Sequence, residues 1–459
     1  MTSGAQVERF RTGFSGDVIG PDDFLYDEAR RVWNSRYGDR RPALVVRPAS
    51  TDDVAAAIRF GREQGLEIAI RSGAHSNSGH SSTEGGLVID LSRMRGVSVD
   101  PVARLARANG GALLGELDIE AQANGLVCPV GVVGHTGVAG LTLGGGIGRL
   151  QRNFGLTIDN LRAVELVTAE GRHVRASATE EPELFWGMRG AGANFGVVTA
   201  FELGLHEFGG VLNRGSLIWP TSQAHVVWAL VRDWAPTMPD AISLIVALGR
   251  AIPESDYPAS VAGGPIVIVG YNHSGEQAAV ARDVAPLHAG PKPVSVSEKA
   301  HAYLEAQTAH DLAMGWGHRS VIESAYADDV RPETLNALVE LMGRAPAGAS
   351  FSVTVQGGAI ARIDDDAMAY TGRRARFDLS ADSNWEDAAQ DELHIGWVRG
   401  AMSIVAQDLT VGRYLNGMSA CGPELTRAVY GEAKMPRLTA LKRAWDPDNV
   451  FHLNHNIVP

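Results

Sequence analysis

Three segments dense in glycine, residues 71–81, 131–148 and 190–198, constrain this chain more than any other feature. Glycine supplies backbone angles closed to other residues and lets main chain approach a partner closely, but it weakens the interior of helices and strands. The first segment, Arg71-Ser72-Gly73-Ala74-His75-Ser76-Asn77-Ser78-Gly79-His80-Ser81, directly follows an apolar run, Leu66 to Ile70. Its serines and amides can donate to phosphate oxygens and Arg71 adds positive charge, so it reads as an anion cradle. The second holds Gly131 and then Gly134-His135-Thr136-Gly137-Val138-Ala139-Gly140-Leu141-Thr142-Leu143-Gly144-Gly145-Gly146-Ile147-Gly148. That density argues against a regular element and for chain wrapped closely around something flat or phosphorylated. The third turn is Gly190-Ala191-Gly192-Ala193-Asn194-Phe195-Gly196-Val197-Val198.

Local signals place the first segment. A strand is expected over Ala43 to Val46, then a helix capped by Ser50 or Thr51, with Asp52 and Asp53 at its positive end and Gly65 as its left-handed stop. Leu66 to Ile70 reads as a second strand, so the cradle follows a strand-helix-strand unit, where α/β proteins commonly bind ligands. Further strands are expected at Leu87 to Leu91 and Val97 to Val99, with a helix from Ala112 to about Asn124. A hairpin is expected over Val164 to Thr168 and His173 to Arg175, then a short helix capped by Thr179 and running through Trp186. Beyond about Leu205 the glycine clusters thin and amphipathic segments such as Glu333 to Met342 take over, with a last helix expected from Trp385 to about Val405.

At 459 residues, two domains are a better prior than one. A net charge of −12 argues against a nucleic-acid or anionic-membrane surface and leaves a small molecule as the expected partner. Two cysteines, Cys128 and Cys421, are too few for a disulfide framework. No run approaches the ~18 apolar residues of a membrane span and the start lacks a leader pattern, so a cytoplasmic location is expected.

Familiar nucleotide motifs fail on spacing. Gly190, Gly192 and Gly196 are one residue too long for a Rossmann fingerprint, Arg149 stands where a third glycine would follow residues 144–146, and no Walker lysine is present. Gly417-Met418-Ser419-Ala420-Cys421 carries cysteine where a nucleophile elbow needs glycine. His75, His80 and His135 lack an accompanying carboxylate or cysteine pair, so no metal is expected.

Taken in order, Arg71 to Ser76, His135 to Gly148, Phe185-Trp186 to Thr199, Tyr414-x-Asn416, and the tail from Asp446-Pro447-Asp448-Asn449 resemble the berberine-bridge-enzyme-like branch of the FAD-linked oxidases. The resemblance spans essentially the whole chain. It implies an α+β fold: an α/β FAD-binding domain of the p-cresol methylhydroxylase type, residues 1–205 and 412–459, plus a substrate domain, residues 206–411, with an antiparallel sheet covered by helices. It implies FAD carried covalently by His75, with His80 a bystander. Ala74 departs from the family's usual second glycine. Relatives with a doubly attached flavin have cysteine where this chain has Val133, so a single bond is expected and Cys128 is read as a structural thiol. The implied cofactor contacts are Arg71, Ser72, Gly73, Ala74, His75, Ser76, Val133, Thr136, Gly137, Gly140, Leu141, Gly144, Gly145, Gly146, Gly148, Asn160, Gly192, Gly196, Val198, Asn454 and Asn456.

For the chemistry, the resemblance assigns Tyr414 as base, its phenol held by Asn416, and Asp378 as an active-site carboxylate, with Gln356 and Tyr370 as lesser pocket candidates. A tyrosine base needs its ordinary pKa near about 10 lowered. Tyr414 also fits a packed tyrosine and Asp378 a solvated strand carboxylate. Thr136 is implied to lie near the oxygen-reactive part of the flavin. The reading is an oxidase taking hydride from an alcohol, sugar, amine or natural-product intermediate and returning electrons to dioxygen. An oxygenating or dehydrogenase-type tailoring enzyme, and a non-catalytic flavin-binding protein, compete with it.

Overall fold

The computed structural model describes residues 4–251 and 258–459. Met1–Ser3, at the start of the stretch read for a leader, lie outside the described residues. The expected strand-helix-strand unit is present as Leu44–Arg47, Thr51–Glu63 and Ile68–Arg71. Ser50 caps the helix by accepting from the Asp53 amide at 3.1 Å, and Gly65 ends it at φ +62°. One face of the helix buries Val54, Ala57, Ile58 and Phe60, the larger of them contributing about 1.5–3 kcal/mol each. Leu87–Asp90 inserts parallel between Leu44–Arg47 and Ile68–Arg71, and Asp17–Ile19 adds an antiparallel edge.

A second, antiparallel sheet has the order Val97–Asp100, Leu105–Asn109, Val197–Gly204, Leu161–Val167, His173–Ser177. Two expectations change beside it. The helix expected to start at Thr179 spans Pro182–Ala191, because proline fits the first helical turn and the Thr179 amide is already engaged by Ser177. The second glycine segment contains a short helix, Val138–Leu143, since only Gly140 interrupts those six residues.

The third sheet has seven antiparallel strands in the order Ser295–Ala302, Val211–Pro220, Pro265–His273, Ile242–Arg250, Ala349–Val355, Phe377–Trp385, Arg319–Ala327. Helices Ala224–Trp234, Pro332–Gly343 and Asp391–Val405 cover one of its faces. The helix expected from Trp385 thus starts later, because Trp385 closes the strand with its ring in the core. Side chains alternate along that strand: Phe377, Leu379 and Ala381 pack under the helices, leaving Asp378, Ser380, Asp382 and Asn384 on the opposite face.

The tail returns to the first half of the chain. Lys442, wholly buried, donates to Asp446 at 2.7 Å, to the Asn194 carbonyl at 3.0 Å and to the Phe451 carbonyl at 2.9 Å, tying the last residues to the third glycine turn. Among the described residues no helix is long and apolar enough to cross a membrane.

Candidate active site

One cavity of about 520 Å³ runs between the glycine segments, the tail and the uncovered face of the seven-stranded sheet. The loop after Arg71 and the second glycine segment cross in direct contact there. A methyl group on Gly73 would meet the Gly137 amide nitrogen at 2.3 Å, so glycine is required at the crossing. Ala74 sits at φ +57°, a left-handed conformation costing roughly 1–2 kcal/mol, which explains why glycine suits this position.

Among the described residues, the amides of Gly73, Ala74, His75 and Ser76 donate to no protein acceptor, and all four residues line the cavity. Amides without protein partners beside a cavity suit a ligand or water, and four in succession suit the oxygens of a pyrophosphate. Arg71 is a correction. It lines the cavity, but its guanidinium is engaged by Asp90 at 2.7 Å and by the Arg31 and Ala29 carbonyls, so the charge expected of it there is already paired.

His75 projects into the cavity, its ring stacked on Trp33 with centroids 4.9 Å apart. Burial and the neighbouring His135 push its pKa down to about 3, which keeps it neutral. His80, read as a bystander, also lines the cavity, held neutral near about 3 by burial and by His455. Cys128 is fully buried in the apolar core and does not line the cavity, whereas Val133 does.

Of the remaining expected contacts, Ser72, Thr136, Gly137, Gly140, Leu141, Gly144, Gly192, Gly196, Val198 and Asn454 line the cavity. Six expected residues do not. A methyl on Gly146 would meet the Thr157 hydroxyl at 2.2 Å and one on Gly148 the Val130 carbonyl at 1.8 Å, so both pack against protein. Gly145, at φ +128°, leaves room for the Tyr370 ring, 2.6 Å from where its methyl would stand. Asn160 bonds to Phe154, Leu156 and His206, and Asn456 lies off the cavity.

The sixth is Asp378, which is buried behind the cavity with one carboxyl oxygen unpartnered. Burial raises its pKa to about 8, so it stays protonated at neutral pH, and only its ionised form would raise the pKa of the neighbouring Tyr326, Tyr370 and Tyr414. Gln356 and Tyr370 do not line the cavity either; the Tyr370 hydroxyl meets that of Tyr326 at 2.5 Å. The residue missed in the sequence is Asp382, two steps of the strand alternation further on, which does line it. Ser350 donates to its carboxylate at 2.7 Å across the sheet, and burial raises its pKa to about 6 against that bond.

Tyr414 and Asn416 stand together in the cavity wall. The Tyr414 hydroxyl oxygen accepts from the Ile147 amide and from the Asn416 side chain, each at 3.2 Å. Burial raises its pKa above the ordinary value while both donors pull it down, so the net lowering expected of a base is not present. Asn416 also donates to the Leu141 carbonyl at 3.0 Å, which fixes its amide. Among the described residues no three metal-ligating side chains cluster.

Comparison with known proteins identifies the family. Residues 42–177 match the FAD binding domain family, and residues 407–458 match the berberine and berberine-like family. (R)-6-hydroxynicotine oxidase of Paenarthrobacter nicotinovorans is 30% identical, across 97% of this chain and 97% of its own length. The crystal structure of 6-hydroxy-D-nicotine oxidase from Arthrobacter nicotinovorans matches with a TM-score of 0.87 at 31% identity, covering 97% of this chain and 98% of that one. Glucooligosaccharide oxidase of Acremonium strictum, whose flavin is a 6-S-cysteinyl, 8α-N1-histidyl FAD, has the same fold, with a TM-score of 0.88 at 24% identity over 99% of each chain. The chain belongs to the berberine-bridge-enzyme-like family of FAD-linked oxidoreductases. It is an FAD-dependent enzyme.

Proposed function

We propose that this enzyme is an oxidase that carries FAD on His75 and oxidises a small organic amine, with dioxygen as the terminal acceptor. In this reading residues 1–205 and 412–459 hold the flavin and residues 206–411 form the substrate domain. The observation that carries it is one shared cavity, onto which open the free amides of Gly73 to Ser76, the His75 ring, the Tyr414 hydroxyl and the Asp382 carboxylate.

Bound FAD supplies a two-electron acceptor for hydride, and the remaining tasks fall to the chain. The amides of Gly73 to Ser76 meet the pyrophosphate charge, since the cavity histidines His75, His80 and His455 are held neutral by burial. Asp382, ionised at neutral pH, pairs with a protonated amine and orients it, with Asn384 and Ser320 beside it on the sheet face. Tyr414 is the group that takes the proton from the donor nitrogen as hydride leaves the adjacent carbon. The two donors on its oxygen, Ile147 and Asn416, favour the base form against the burial that raises its pKa. Val133 lining the cavity and Cys128 buried away from it support a single covalent bond. The nicotine oxidase relatives, named for an amine, support that substrate class.

Anaerobic mixing with secondary and tertiary amines, and with alcohols and sugars of similar size, tests the reading. It expects amines to bleach the visible flavin band and air to restore it with one peroxide per turnover. Bleaching by alcohols or sugars alone overturns the amine assignment, and reoxidation only by an artificial acceptor overturns the oxidase.

A further inference from the structure

The His75 ring is in contact with His135. His135 is not among the cavity-lining residues, and its Nδ1 is 2.7 Å from His75 Nε2. On its other side, His135 Nε2 is 3.2 Å from the Asp311 carbonyl oxygen. A carbonyl can only accept, so His135 Nε2 carries a hydrogen and its Nδ1 offers a lone pair. His75 Nε2 must then be the donor across the 2.7 Å contact, which leaves the lone pair of His75 on Nδ1. Among the described residues Nδ1 of His75 has no hydrogen-bond partner.

The ring cannot easily turn away from this arrangement. Trp33 stacks on it, the Trp33 amide donates to the Ala74 carbonyl at 3.1 Å, and the indole nitrogen donates to the Met314 carbonyl at 2.7 Å. Trp316 closes the edge with its ring nearly perpendicular, centroids 6.3 Å apart. Asp311 itself is anchored by accepting from the Gly134 amide at 2.7 Å, so the loop carrying His135 and the segment carrying the carbonyl are locked together.

We propose that His135 is the positioning residue for flavin attachment: it sets the tautomer that makes His75 Nδ1 nucleophilic and receives the His75 Nε2 proton as the covalent bond forms. The proposal rests on the reading of His75 as the attachment point. In the net step a carbon–hydrogen bond of the flavin 8α methyl group breaks and a bond from His75 Nδ1 to that carbon forms. The methyl group and His75 each give up one hydrogen, and those two protons and two electrons convert one dioxygen to hydrogen peroxide. The His75 hydrogen leaves through Nε2 to His135 Nδ1, because a ring alkylated on Nδ1 must lose its other proton to regain neutrality. The Asp311 carbonyl stabilises His135 while it carries that proton.

The test follows attachment rather than turnover. Full-length chain produced with limiting riboflavin is supplied with FAD without oxygen and then exposed to air. Acid-stable flavin and peroxide are followed in time, and flavin retained through desalting under native conditions reports non-covalent binding. Wild type is expected to gain acid-stable flavin with one peroxide per chain. H135A and H135N are expected to retain FAD normally but attach it about a hundredfold or more slowly, the usual scale for losing a positioned proton acceptor. Added imidazole is expected to speed H135A, a response that a merely structural role would not give. Asparagine keeps an acceptor near the place of Nδ1 but cannot take the proton, so H135N decides the matter if H135A does not fold. A wild-type rate in H135N overturns the role of His135 while leaving attachment at His75 intact. A wild type that never gains acid-stable flavin overturns the attachment reading itself, and His135 with it.

Discussion

One wall of the cavity, from Gly73 to Ser76 and across the second glycine segment, presents main chain; the facing wall, the open side of the seven-stranded sheet, presents the side chains of Asp382, Asn384, Ser320 and Ile322. The two differ in what they can tolerate. The first is built from crossings so close that added methyl groups collide with backbone, as at Gly73 against Gly137. The second is a regular antiparallel ladder whose register is held by its other face, packed under the helices, which leaves its outward side chains freer to change. A fixed wall suits an invariant cofactor and an exchangeable wall suits a variable substrate.

Substitutions on the two walls should therefore fail differently. The largest effect is expected for G73A, which cannot keep the crossing; purified protein should lose nearly all its flavin, read as the ratio of visible to ultraviolet absorbance. Retention of full flavin would erase the distinction between the walls. Y414F, at the junction, should keep its flavin but lower kcat/KM by about 10²–10⁴-fold, the usual contribution of a general base. An unchanged rate would reduce Tyr414 to a packed tyrosine.

D382N should fold and bind flavin normally while weakening amine substrates by about tenfold or more, the scale of a charge-assisted hydrogen bond, mainly through KM. Equal losses for neutral substrates would remove the ion pair from the account. D378N tests the layer behind the wall by stability. The folded state holds the Asp378 proton up to about pH 8, whereas the unfolded chain releases it near pH 3.8. Its contribution is thus present below pH 4 and is lost as pH rises toward 8, by up to about 1.4 kcal/mol per pH unit. Melting curves of wild type and D378N should diverge across that window, with the variant falling less steeply.

The two walls were also unequally legible. Main-chain requirements leave marks in sequence: Ser50 and Gly65 bracketed a helix that was found where expected, and the glycines at 73, 137 and 144 identified one wall of the cavity. Glycine density misled where the reason for glycine was protein packing, as at Gly146 and Gly148, and it masked the helix Val138–Leu143. Side-chain requirements on a sheet leave only alternation. The resemblance placed the carboxylate at Asp378, on the same face of the strand but four residues short of Asp382, the position that lines the cavity. The His75 to His135 contact joins two loops 60 residues apart, and only the crossing at Gly73 and Gly137, a three-dimensional fact, brings them together.

The central claim, that His75 opens onto the flavin cavity as its covalent anchor while Cys128 is shut away in the core, has a direct test. Protein denatured in acid and digested is examined by mass spectrometry for a flavin adduct. The account predicts the adduct on the peptide containing His75 and none on the peptide containing Cys128. An adduct bridging to Cys128, or a His75 peptide of unmodified mass in protein that holds flavin when native, would contradict it.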